Sequence, residues 1–157
     1  MSHYEERLEH DLQEIRDRTA AVGAEVEEAF RQAVHAVLIS DTSLSSRLIL
    51  GDMPINREVR KIDQLCHEFV ALHLPSAGHL RFVSSALRLN IALERIGDYA
   101  VTIAREQVQL AAIPPKALAA DLELLGEQTS LMLHQALEAF NSRNADLARG
   151  TKPMGEQ

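Results

Sequence analysis

Apolar residues recur at alternating steps of four and three along most of this sequence, and that spacing limits the chain to packed helices. The pattern is clearest in Leu8, Leu12, Ile15, Thr19, Val22, Val26, Ala29, Ala33 and Val37. It predicts a first helix from Tyr4 to Ile39, a second from about Ser43 to His73, a third from about His79 to Ala112 and a fourth from Lys116 to Leu147. Asp41 or Thr42 can cap the second helix. Pro75-Ser76-Ala77-Gly78 reads as a loop, and Pro114-Pro115 ends the third helix. Gly51 and Pro54 fall inside the second helix, where a kink is expected rather than a break. No segment alternates as a strand does. The fold class is therefore all-α: an antiparallel three-helix bundle followed by an additional long helix. Cys66 falls on the apolar stripe of the second helix and reads as a small buried hydrophobe.

Charge narrows the partners. The formal net charge is −7 with no basic run, which disfavours direct nucleic-acid binding and anionic membrane surfaces. A single cysteine rules out an intramolecular disulfide and a cysteine-based zinc site. The opening MSHYEERLEHDL is polar and acidic, unlike a signal or transit peptide. No apolar run approaches the ~20 residues that span a bilayer. The expectation is a soluble cytoplasmic protein without membrane insertion.

Sliding the sequence by 103 positions aligns the first helix with the fourth: Gly23 meets Gly126, Gln32 meets Gln135, Ala33 meets Ala136, Ala36 meets Ala139 and Leu44 meets Leu147. This divides the chain into a three-helix unit over 1–113, the first helix of a second, incomplete repeat over 114–149, and a flexible tail over 150–157. The expected explanation is a truncated second half. A lone fourth helix exposes an apolar face, so a homo-oligomer, a dimer or larger, is expected to cover it.

In the third helix, Asn90, Glu94, Asp98 and Thr102 are spaced four apart and form a polar ladder beside a stripe of Leu89, Leu93, Ile96, Ala100 and Ile103. Two carboxylates one turn apart repel unless a cation, an arginine such as Arg88, Arg95 or Arg105, or a proton offsets them, or they simply face solvent. Glu94 and Asp98 can aim two oxygens at one hard cation, Mg²⁺, Mn²⁺ or ferric iron, with Asn90 and Thr102 adding neutral oxygens. Tight binding needs a further ligand from another helix: Asp52, Asn56, Glu58 or Asp63. The histidines are scattered, with no Glu-x-x-His pair, and phosphate loops and nucleophile elbows are absent. No enzyme and no organic cofactor is indicated. A metal-free scaffold that docks partners through the acidic face is the alternative.

The string Leu93-Glu94-Arg95-Ile96-Gly97-Asp98-Tyr99-Ala100-Val101-Thr102-Ile103-Ala104 resembles the signature of the PhoU family of phosphate-uptake regulators, with its Glu-x-x-x-Asp pair. Ile55-Asn56-Arg57-Glu58 through Ile62-Asp63-Gln64-Leu65 is similar to that family's second helix, and Gln135-Ala136-Leu137-Glu138-Ala139-Phe140 to its fourth. The resemblance implies two three-helix repeats, of which this chain carries the first and the start of the second. It implies a cytoplasmic regulator linking the phosphate ABC transporter ATPase to a sensor histidine kinase and repressing the phosphate-starvation response. It also implies metal ligation by Glu94 and Asp98. This sequence departs from the family pattern at Thr102, where the family often has Asn.

Overall fold

The connection after the first helix is two residues long, and it dictates a hairpin. Ser40 takes the left-handed conformation at φ 55°, and the Asp41 N–H donates to the Ala36 carbonyl oxygen at 2.9 Å. Asp41 then caps the next helix by accepting from the Leu44 N–H at 2.9 Å. In this computed structural model, which describes residues 3–110 and 112–156 without the side chains of Asp52, Met53 and Glu156, α1 spans His3–Ile39, α2 Thr42–Leu72 and α3 Ala77–Leu110. α4 spans Lys116–Asn141, α5 Ala145–Thr151, and a 3₁₀ turn runs over Lys152–Glu156. The described residues contain no strand, and none of their helices is long and apolar enough to cross a membrane.

Helices α1, α2 and α3 pack against one another, and α4 packs on α1. The apolar seam of α1 behaves as its spacing requires: Leu12, Ile15, Val22, Val26 and Ala33 are almost wholly buried. They meet Val59, Ile62, Cys66 and Phe69 of α2, and Val83, Ala86 and Leu93 of α3. Burial pushes the Cys66 thiol up to about 11, with the Asp63 charge adding to it, so the thiol is neutral and serves as core. α2 stays helical through Gly51 and Pro54, with no break in the chain there.

Three details differ from the sequence expectation. The buried stripe of α3 is Val83, Ala86, Asn90, Leu93, Gly97, Ala100, Val101, Ala104 and Gln107, whereas Leu89, Ile96 and Ile103 are half-buried on its flank. Small residues decide this. A Cβ built at Gly97 would lie 3.9 Å from both Ile55 of α2 and Val26 of α1, ordinary van der Waals contact, so α3 approaches both helices here and a small residue fits where the three converge. The fourth helix ends at Asn141 rather than Leu147, because Arg143 adopts φ 54° and Asn144 caps a new helix through the Asp146 and Leu147 N–H groups, each at 3.0 Å. The segment expected to be a flexible tail is helical through Glu156, and Gln157 lies outside the described residues. It folds back on α4: Gln135 Nε2 donates to the Leu147 carbonyl oxygen at 3.2 Å, and the Gly155 backbone sits against Met132.

The 103-residue shift has a geometric counterpart in the α1–α4 contact. Gly23 of α1 faces Leu137 of α4, and Gly126 of α4 faces Val34 of α1. The shift that carries Gly23 onto Gly126 also carries Val34 onto Leu137, so the contact is quasi-two-fold, as between two copies of one surface. A Cβ at either glycine would meet the opposing methyl at 2.7 Å. Alanine gains about 1 kcal/mol of helix propensity over glycine, and overpacking costs about 1–3 kcal/mol. Leu137 presents the far end of a flexible side chain, whereas Val34 presents a γ-methyl on a stiff β-branch. Gly126→Ala should therefore lose about 1–2 kcal/mol in urea unfolding, while Gly23→Ala stays within about 1 kcal/mol of wild type. Equal losses at both sites would contradict this packing.

Candidate functional site on the outer face of α3

Because α3 buries one face through small residues, the opposite face is fixed by periodicity. Glu94, Arg95, Asp98, Tyr99 and Thr102 are all exposed on it. Ile91 and Tyr99, neighbours of the two acids along the helix, are 53% and 64% exposed. The carboxylates of Glu94 and Asp98 make no ion pair or side-chain hydrogen bond among the described residues, so Arg88, Arg95 and Arg105 do not neutralise them. Thr102 donates its hydroxyl proton to the Asp98 carbonyl oxygen at 2.8 Å, a bond within the helix that still leaves the hydroxyl oxygen able to accept.

The polar ladder is not continuous. Asn90 is 2% exposed, and its Nδ2 donates to the Val59 carbonyl oxygen of α2 at 2.7 Å. It sits in the α2–α3 seam, one step off the acidic face, because the helix turns 3.6 residues rather than four per turn and a four-step ladder drifts around it. Two of the further ligands expected from α2 have other partners. Glu58 pairs with Arg18 of α1 at 2.9 Å, and Arg18 also holds Glu14 at 2.9 Å. Asp63 is exposed beside His67, 3.5 Å away. Asn56 is half-buried, and the Asp52 side chain lies outside the described residues. Among the described residues no three His, Cys, Asp or Glu side chains converge. The donor set on α3 is thus two carboxylates and a hydroxyl. That chemistry suits a hard, largely hydrated cation and not a closed cage.

Sequence reasoning missed a second polar pair. His73, 4% exposed at the end of α2, places Nε2 2.7 Å from an Asp11 carboxylate oxygen of α1. Tyr4 and Phe69 pack against its ring, and the Tyr4 hydroxyl oxygen accepts from the Leu74 N–H at 2.8 Å. Asp11 and His73 are 62 residues apart, so spacing gave no signal. The pair ties the start of α1 to the α2–α3 connection.

The PhoU domain family matches residues 19–107. A phosphate-specific transport system accessory protein PhoU homolog of Pseudomonas putida is 34% identical over 148 residues, which is 93% of this chain and 57% of the relative. The Escherichia coli K12 accessory protein PhoU is 33% identical over 146 residues, covering 93% and 61% respectively. This chain therefore spans about three-fifths of the length of these relatives. The crystal structure of PhoU from Pseudomonas aeruginosa superposes with a TM-score of 0.85 at 33% identity, over 90% of this chain and 68% of that one. The matched segment runs from the buried Thr19 of α1 to Gln107 at the end of α3 and contains the whole acidic face; the chain belongs to the PhoU family.

Proposed function

We propose that this chain is a regulatory accessory protein of phosphate uptake. It acts in the cytoplasm between the phosphate ABC transporter ATPase and a sensor histidine kinase, and it represses the phosphate-starvation response. The observation that supports this reading most is the pair Glu94 and Asp98. They lie inside the family match, on an exposed helix face, with no internal partner among the described residues. Carboxylates left uncompensated beside exposed Ile91 and Tyr99 are placed for something outside the bundle. When a metal is bound, Glu94 and Asp98 would hold it as a hard divalent or ferric ion, with Thr102 as a weaker neutral donor, and the ion would supply positive charge on this face. The role needs no catalytic group.

The lack of a third converging ligand among the described residues favours a second reading, in which the face docks a basic patch of a partner without metal. One strain set separates the readings. In cells lacking the protein, a starvation-gene reporter should be derepressed in high phosphate and repressed again by wild type. Glu94→Ala/Asp98→Ala should fail to restore it. Metal analysis of the two purified proteins then distinguishes ligation from docking: metal in wild type alone supports ligation, and equal or no metal in both supports docking. A reporter that stays repressed in the deletion strain would sink the regulatory role itself.

A further inference from the structure

The apolar seam of α4 is open. Leu118, Leu122, Leu125 and Thr129 alternate in steps of four and three, the spacing by which helices pack on helices. The 103-residue shift carries Ile15, Thr19, Val22 and Val26 of α1 onto them. Those four are at most 1% exposed, in the core that α1 shares with α2 and α3. In α4, by contrast, Leu118 and Leu125 are 49% and 61% exposed, and Leu122 and Thr129 are half-buried. The seam borders a groove of about 280 Å³, whose floor and walls include Phe30 and Val34 of α1, Ile103 of α3, and Leu122, Leu125 and Thr129 of α4. No described residue lining this groove is charged, in a chain of which 25% is charged. Past Phe30 and Thr129 it continues into a cleft of about 580 Å³ that α5 borders. The chain exposes 9876 Å² of surface, whereas a compact monomer of its 17.4 kDa exposes about 7,900 Å². α4 packs only on α1 and on the short helical segment that follows it, so its flank contributes to that surplus.

We infer that this seam closes on a second copy of this chain, with the two α4 helices antiparallel across a two-fold axis. Leu122 then meets the partner's Leu125, and Leu118 meets the partner's Thr129. The area suffices: a stable dimer covers about 800 Å² per partner, less than the surplus each chain exposes. The seam is also self-complementary. Reversing α4 about a point between residues 123 and 124 carries its apolar positions onto one another, which an interface between identical copies requires. Charge does not oppose the pairing. Asp121 beside the seam falls between the partner's Gly126 and the partner's Gln128, not opposite an acid. Glu123 and Glu127 line a different cleft, on the other side of the α1–α4 contact. A charged partner would find nothing complementary in an uncharged groove, whereas a second apolar seam fits it.

Sedimentation velocity of the purified full chain at micromolar concentration tests this without reference to gene regulation, so it can fail while the regulatory reading stands. Wild type should sediment as a dimer, twice the 17.4 kDa chain. Leu122→Glu and Leu125→Glu should each weaken dimerisation about a hundredfold and sediment as monomers, because each buries two carboxylates at the two-fold contact. Leu125 is largely exposed in the single chain, so its replacement leaves the fold intact, and helical circular dichroism checks both variants. Leu131→Glu changes a leucine that is 57% exposed and lines the other cleft, and it should stay dimeric. Added salt should preserve or tighten the dimer, since it screens repulsion between two chains of net charge −7. A monomeric wild type means that the groove takes some other occupant, and it overturns the proposal. So does a dimer that survives both Leu122→Glu and Leu125→Glu, that is lost equally in Leu131→Glu, or that dissociates as salt is added.

Discussion

Phe69→Ala is expected to lower the unfolding free energy by about 3–5 kcal/mol, the range for emptying a fully buried aromatic site. Phe69 is 1% exposed and is the largest of the fully buried side chains. His73 lies against its ring at 4.9 Å between centroids, and His79 meets it edge-on at 6.4 Å. Two effects bear on the magnitude. The cavity would open at the end of the bundle, so water can enter and reach His73 Nδ1 and His79 Nδ1, both buried without partners, which offsets part of the loss. Against that, hydration loosens the pocket that holds His73 on Asp11 across α1 and α2. A drop in melting temperature of about 10 °C follows for a chain of this size. Phe69→Leu, which keeps most of the volume, should lose under about 1.5 kcal/mol. Urea titrations followed by circular dichroism measure both. A loss under about 1 kcal/mol for the alanine variant would mean that this end of α2 is not packed as described.

The difference between what the sequence predicts and what the structure contains is set by how far apart the deciding partners are. The helical bundle is legible because α1 carries bulky apolar residues at unbroken heptad spacing, and the Asp41 cap and the Pro114-Pro115 stop act on their own neighbours. α3 is harder. Its buried stripe runs through Asn90, Gly97 and Ala104, which no hydrophobicity count selects, and the larger Leu89, Ile96 and Ile103 beside it attract the reading. The end of α4 turns on one residue: Arg143 in the left-handed region, a conformation that arginine rarely takes. The Asn144 cap was visible in principle, but Gly150, Pro153 and Gly155 beyond it mask a segment whose helix depends on packing against Gln135 and Met132. At the candidate site, Glu94 and Asp98 are outward as their charge and spacing require. The stacking of Arg16 on Phe82 joins residues from different helices, and periodicity within one helix does not report such a contact.

Asn90→Asp carries the second large effect, and it discriminates between two placements of the same residue. If Asn90 stood on the acidic face with Glu94 and Asp98, an added carboxylate would be exposed, nearly neutral for stability and favourable for a cation. In the seam where it lies, the substitution replaces the Nδ2 donor to the Val59 carbonyl oxygen with an oxygen that repels it, inside a site 2% exposed. The ionised form should cost about 3–5 kcal/mol, the range for a buried charge left unpaired. The acid escapes by staying protonated, since its neutral O–H can still donate to Val59. Its folded pKa must therefore rise above the unfolded value of about 3.9. At pH below that unfolded value both states are neutral, and the variant should lie close to wild type. Stability falls as pH climbs from there and levels off only above the raised folded pKa, because the unfolded chain releases its proton first. Asn90→Leu gives the complementary result. It removes a buried Oδ1 that has no partner and leaves Val59 with its own helical hydrogen bond, so it should stay within about 1.5 kcal/mol of wild type. Urea unfolding across acidic to neutral pH reads both variants. A pH-independent, undiminished Asn90→Asp would put residue 90 back on the solvent face and remove the α2–α3 seam as drawn.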